Sequence, residues 1–209
     1  MKKFEERGVD TLAIDFSGHG ESKEKFEDTN ISKGVQNILD TVEHLEKMGY
    51  LKIAIVGTSF GGTCSILAVR KILSDKKMKA RVVTLALKCP AYFENGIFER
   101  SGLNLQEWKN KGIDNYGTAK LKYDFYVDSQ KPENDHLKGA ESITIPTLIV
   151  HGSKDRLVPL EHSRLLTERI KKAESRLIVI ENADHGFTKK EHFTESIIKI
   201  YEFIIEKLK

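Results

Sequence analysis

Short runs of β-branched and apolar residues alternate along this chain with longer segments of helical period, and that alternation constrains the fold more than any other feature. Thr11–Phe16 reads as a first strand, followed by the turn Ser17-Gly18-His19-Gly20. Ile31, Val35, Ile38, Val42 and Leu45 then recur at helical spacing, and Gly49 closes that helix. Lys52–Gly57 is the second run, with a helix expected from about Gly61 to Ser74, and Val82–Leu87 is the third. After a break the pattern resumes with Thr147–Gly152, a helix opened by Pro159 and reaching about Lys172, and a last strand at Leu177–Ile180. Thr188-Lys189-Lys190-Glu191 has the form of a capping box for a final helix, whose apolar face is Phe193, Ile197, Tyr201, Ile204 and Leu208. The expectation is an α/β fold, a mostly parallel sheet flanked by helices, in one domain over residues 1–209.

The break falls at about 91–141 and collects Tyr92, Phe93, Phe98, Trp108, Tyr116, Tyr123, Phe125 and Tyr126. It reads as a small cap-like insertion over one end of the sheet, with Tyr123–Val127 as a candidate strand. Its aromatic residues either pack among themselves or line an acyl or aryl pocket.

Bulk properties narrow the partners. Lys and Arg number 34 against 31 Asp and Glu, a net charge of +3 spread without a basic block, so no nucleic-acid footprint is present. The two cysteines, Cys64 and Cys89, show no disulfide framework and no metal-ligand spacing, which fits a reducing, cytoplasmic setting and predicts no metal. Met1–Arg7 lacks the apolar core of a signal peptide. No apolar run approaches the roughly 20 residues that span a bilayer.

Gly57-Thr58-Ser59-Phe60-Gly61 matches G-x-S-x-G between an expected strand and an expected helix, the context in which that motif presents a serine on a sharp turn. A serine hydroxyl needs a base to become a nucleophile. Of the histidines, His185 lies on the loop after the last strand, past the sheet edge that carries Ser59. Asp155, after the preceding strand, stands where an acid could orient it. The order Ser59, Asp155, His185 is one in which this chemistry is arranged on α/β sheets. The backbone N–H of Phe60 is the expected oxyanion donor. Each residue has a plainer reading: Ser59 as a small turn residue, Asp155 as a helix cap, His185 as a loop histidine bonded to backbone. His19 and His151 read as structural. The glycines do not make a phosphate site, because Gly57 to Gly62 lacks the P-loop lysine and Gly18-His19-Gly20 lacks the third glycine of a dinucleotide fingerprint.

Four segments in order resemble the α/β-hydrolase superfamily: Asp15-Phe16-Ser17-Gly18-His19-Gly20-Glu21-Ser22, the G-x-S-x-G turn, His151-Gly152-Ser153-Lys154-Asp155 through Pro159, and Ala183-Asp184-His185-Gly186-Phe187. Within it the chain is similar to the feruloyl/cinnamoyl esterase and monoacylglycerol-lipase-like groups, which carry a modest insertion after the corresponding third run. The resemblance implies a serine hydrolase acting on small-molecule carboxylic esters through an acyl-enzyme, with no cofactor. A thioesterase, acyltransferase or peptidase would use the same three residues, and fold does not choose among them. In that family three strands and a helix precede the segment near Val9, roughly 40–50 residues in all, and the loop after the third strand supplies the second oxyanion donor. Met1–Gly8 resembles only the tail of the first helix, so the resemblance implies a truncated N-terminus. Three outcomes stay open: a start further upstream, a weakly stable product that is weakly active or non-catalytic, or Thr11–Phe16 crossing to pair with Lys52–Gly57. Bared strand edges would favour pairing with another chain, as in a homodimer.

Overall fold

The computed structural model describes residues 2–75, 77 and 81–209. In chain order its elements are α1 (Lys2–Glu5), α2 (Ile31–Lys47), β1 (Lys52–Thr58), α3 (Phe60–Ser74), β2 (Arg81–Lys88), α4 (Asn95–Arg100), α5 (Leu105–Lys111), β3 (Ile113–Tyr116), β4 (Ala119–Lys122), α6 (Asp124–Ser129), β5 (Thr147–Gly152), α7 (Leu160–Arg169), β6 (Ser175–Ile180) and α8 (Lys190–Leu208). Four strands form one sheet in the order β1-β2-β5-β6, every pair parallel, and β3 and β4 form a separate antiparallel hairpin. Helices flank both faces of the parallel sheet, which is the α/β-hydrolase architecture.

The strands alternate sides as their period of two requires. Leu85, Leu87 and Ile149 face the core shared with α2, α3 and α7, while Ala86, Leu148 and Val150 face the core under α8. The α2 stripe is the one read from the sequence, with Ile31, Val35, Ile38 and Val42 buried and the Asn30 side chain capping Lys33 N–H at 2.8 Å. Because all four strands run in one direction, the loops after β1, β2, β5 and β6 gather at a single sheet edge.

Three expectations are corrected. Thr11–Phe16 is not a strand, and it does not cross to β1, which forms one edge of the sheet. The segment is held by side chains: Ile14 and Phe16 pack on the larger core, and Tyr50 Oη donates to Asp10 at 2.7 Å. Tyr123–Val127 is not a strand either. Asp124–Ser129 forms α6, because Phe125 and Tyr126 bury by packing on Phe98 rather than by joining a ladder. The capping box at Thr188 does not form. α8 starts at Lys190 after an Lys189 cap without a side-chain bond, and Thr188 turns back to Asp184, donating through N and Oγ1 at 2.9 and 2.6 Å. The N-terminal helix tail is present as Lys2–Glu5, with Met1 outside the described residues. Segment 91–141 consists of α4, α5, the β3–β4 hairpin and α6, assembled around Trp108, whose indole N–H donates to Leu121 O at 2.8 Å.

Candidate active site

Ser59 follows β1 directly and takes φ +50°, ψ −116°, a left-handed conformation that costs a non-glycine residue about 1–3 kcal/mol. Its neighbours enforce the turn. A Cβ on Gly57 would lie 2.5 Å from both Gly61 O and Ser65 Oγ, so only glycine lets α3 return this closely over β1. Ser59 N–H donates to Lys88 O at 2.9 Å, and Ser59 O accepts from Thr63 and Ala91. The hydroxyl does not cap α3; it points away to His185.

His185 Nε2 lies 3.0 Å from Ser59 Oγ, and His185 Nδ1 lies 2.7 Å from Asp155 Oδ2. A carboxylate only accepts, so Nδ1 carries the proton and Nε2 is left to accept from the serine hydroxyl. Asp155 Oδ1 accepts the N–H groups of Leu157 and Val158 at 2.9 and 2.8 Å. The Asp155 side chain is fully buried and that of His185 is 22% exposed, so the carboxylate is sealed and the imidazole is reachable. Burial alone would push the Asp155 carboxyl up. Hydrogen bonds from His151, His185 and the Val158 N–H outweigh it and hold the group well below the usual carboxylate range, ionised at neutral pH. The three residues read from the sequence are therefore brought into one hydrogen-bonded chain. Phe60 N–H stands in the first turn of α3, where backbone donors have no intrahelical acceptor.

Two residues given no part in the site by the sequence also meet here. His151, read as structural, approaches Asp155 Oδ2 at 3.3 Å through Nε2. Cys89, with φ +43° and fully buried, lies with its sulfur 3.8 Å from His185 O. Cys89, Asp155 and His185 bring potential ligand atoms within 4.8 Å of one another. Burial pushes the Cys89 thiol up, and Asp155 and His185 direct those same atoms at each other.

Beside Ser59 the Phe60 ring opens onto a cavity of about 130 Å³, and seven of its eleven lining residues come from segment 91–141. Phe26, Phe60, Phe93, Phe98, Tyr116 and Phe125 form most of its wall. His19, the middle of Gly18-His19-Gly20, stacks on Phe60 at 5.6 Å and belongs to that wall. Its turn is fixed by Glu21 N–H donating to Asp15 at 2.9 Å and Gly18 N–H donating to Ser22 at 3.2 Å.

This fold and serine-bearing turn define an α/β hydrolase. The whole chain, residues 1–209, matches the prolyl oligopeptidase family, Peptidase_S9, and belongs to it. It is 25% identical over 180 residues to the uncharacterized protein YfhR of Escherichia coli O157:H7, covering 86% of this chain and 54% of that protein. It is 24% identical over 217 residues to a carboxylesterase of Bacillus subtilis, covering 97% and 83%. The chain thus spans about half the length of the first relative and most of the second. Among solved structures it is similar to Est1E of Butyrivibrio proteoclasticus with ferulic acid bound, with a TM-score of 0.82 and 26% identity, covering 99% of this chain and 80% of that one. The chain has the α/β-hydrolase fold and esterase-like neighbours, and among the described residues no helix is long and apolar enough to cross a membrane.

Proposed function

We propose that the protein is a serine hydrolase that cleaves small carboxylic esters through an acyl-enzyme, with Ser59 as nucleophile, His185 as general base and Asp155 as the acid that orients it. The observation that carries this reading is the unbroken pair of contacts, Ser59 Oγ to His185 Nε2 at 3.0 Å and His185 Nδ1 to Asp155 Oδ2 at 2.7 Å. Ser59 Oγ attacks the ester carbonyl as its proton passes to His185 Nε2. Asp155 stabilises the imidazolium and fixes the tautomer. Phe60 N–H donates to the oxyanion. The imidazolium then protonates the leaving alcohol, and water repeats the sequence on the acyl-serine with His185 again as base.

The aromatic cavity is the acyl site. Its 130 Å³ is close to the roughly 150 Å³ of an apolar cavity that accepts benzene, so one ring or a short alkyl chain fits. The ferulic acid bound to Est1E supports an aromatic acyl group, and the carboxylesterase relative supports an ester bond. The two free, buried cysteines fit a cytoplasmic setting. The test uses purified protein with p-nitrophenyl butyrate, methyl ferulate, an amino-acid p-nitroanilide and a fluorophosphonate probe. The expected result is ester hydrolysis and labelling, both abolished in Ser59→Ala. Equal hydrolysis by that variant refutes the nucleophile, and a preference for the anilide refutes the ester.

A further inference from the structure

Asp155 meets two histidines through one oxygen. Oδ2 is 2.7 Å from His185 Nδ1 on the open side and 3.3 Å from His151 Nε2 on the sealed side. His151 sits near the end of β5 and is wholly buried. Its partners assign its proton. Nε2 lies 3.0 Å from Val158 O, and both that carbonyl and the carboxylate only accept, so Nε2 is the N–H; it is donated to Val158 O, with Asp155 Oδ2 3.3 Å away. Nδ1 lies 2.7 Å from Ser163 Oγ, a buried α7 hydroxyl that therefore donates to it.

The result is two Ser–His pairs joined at Asp155. Ser59 donates to His185, which donates to Oδ2; Ser163 donates to His151, whose Nε2–H goes to Val158 O at 3.0 Å and lies 3.3 Å from the same Oδ2. The two pairs differ in solvent access, since His185 is partly exposed and His151 is not. The other groups meeting the carboxylate are the Leu157 and Val158 N–H on Oδ1 and the Cys89 thiol.

We infer that His151, held by Ser163, is a positioning residue for this site: its Nε2–H pins Asp155 Oδ2 in line with His185 Nδ1 and takes a share of its charge. His151 exchanges no proton during turnover and acts only through Asp155. The inference rests on the catalytic reading of Ser59, Asp155 and His185. A purely structural role is the alternative, because the bond to Val158 O also ties the loop between β5 and α7.

The two roles separate in the pH profile. Without His151, the Oδ2 charge falls wholly on His185 and favours its imidazolium, so the acid-side loss of activity sets in at a higher pH. The experiment compares the whole chain as wild type, as His151→Gln, whose amide reaches the Nε2 position as a donor, and as the double variant His151→Phe/Ser163→Ala, which leaves no orphaned hydroxyl. Tm, hydrolysis of p-nitrophenyl butyrate from about pH 5 to 9, and the low-field proton resonance of the Asp155–His185 bond are recorded for each. The double variant should lose about 10–100-fold in kcat with KM within about threefold, the loss expected for one hydrogen bond to a charged group, and its acid limb should move to higher pH. His151→Gln should recover most of kcat and return the limb. A folded double variant with wild-type kcat and an unmoved limb overturns the inference, as does His151→Gln behaving like the double variant. Ser59→Ala in the same assay tests the underlying reading separately. If hydrolysis survives there, the low-field resonance decides: its loss in the double variant alone supports positioning by His151, and its persistence in every protein overturns it.

Discussion

His136 should make this protein labile to mild acid, well above the range where carboxylates titrate. Its ring is 1% exposed, its Nδ1 meets no hydrogen-bond partner among the described residues, and it lies edge-on to Tyr92 at 5.1 Å. Burial pushes its pKa down to about 3; Asp135 pulls it up, and His162 and Arg70 push it further down. In the unfolded chain the group returns to about 6.5. Between those values the unfolded state takes a proton that the folded state refuses. Stability is therefore complete above about pH 6.5 and falls as pH drops toward 3. One pH unit of mismatch is worth about 1.4 kcal/mol, so at pH 5 the loss is about 2 kcal/mol. For a domain of this size that lowers Tm by roughly 4–8 °C. His162, also depressed chiefly by burial, acts in the same direction. The assay is Tm at pH 7.5 and 5.0 for wild type and for His136→Phe, which keeps the ring and removes the titration. The drop should be smaller in the variant by about 4–8 °C. Equal drops in the two proteins refute the argument, because the carboxylates held low, Asp155 and Glu94 among them, change charge below this window and are common to both.

Two further perturbations separate the parts of the site. Asp155→Asn should cut kcat by about 10⁴, because an amide can leave His185 in the wrong tautomer; single-turnover acylation read by p-nitrophenolate release checks this, and a loss under tenfold contradicts the role. Gly57→Ala should destabilise by about 2–3 kcal/mol through overpacking, because its Cβ meets the Gly61 carbonyl at 2.5 Å, whereas Gly61→Ala meets only the Phe16 ring at 3.2 Å and should be milder. Urea midpoints rank the two, and the reverse order counts against the account.

The sequence carries the sheet and the site's outline because both depend on local patterns. Ile53, Ile55, Leu85, Leu87 and Ile149 mark strands by composition, and the turns that follow them are marked by Gly57, Gly61 and Gly152. What it does not carry depends on partners distant in the chain. Thr11–Phe16 has a strand's composition, yet a strand needs a neighbour; Ile14 and Phe16 pack on the core and Phe60 instead, and Leu12 stays exposed. Tyr123–Val127 is aromatic enough for a strand, but its rings find Phe98 and Trp108 by turning as a helix. Thr188 has the spacing of a cap, and Asp184 competes successfully for it. The bond from Ser163 to His151 joins two elements that only the fold brings together, and no spacing in the sequence signals it.

The strain at Ser59 is tolerated because the sheet over-determines the start of each loop at this edge. Ser59 N–H donates to Lys88 O at 2.9 Å, Cys89 N–H to Val150 O at 2.9 Å, and Ser153 N–H to Ile180 O at 3.0 Å. Each bond carries the parallel ladder one residue past a strand end, so the first residue of three successive loops is fixed by the neighbouring strand. Two of the three, Ser59 and Cys89, sit at positive φ. The scaffold thus trades some stability for a hydroxyl held in line with His185. That trade is measurable by comparing two variants that both lack the hydroxyl. Ser59→Ala keeps a Cβ and the strain of about 1–3 kcal/mol. Ser59→Gly relieves it, while glycine's greater freedom in the unfolded chain costs back about 0.5–1 kcal/mol. Both should be inactive, and Ser59→Gly should be the more stable by about 1 kcal/mol in urea unfolding. A Ser59→Gly protein no more stable than Ser59→Ala would show that the turn is relaxed and that the ladder bonds, not conformational strain, set the geometry of the serine.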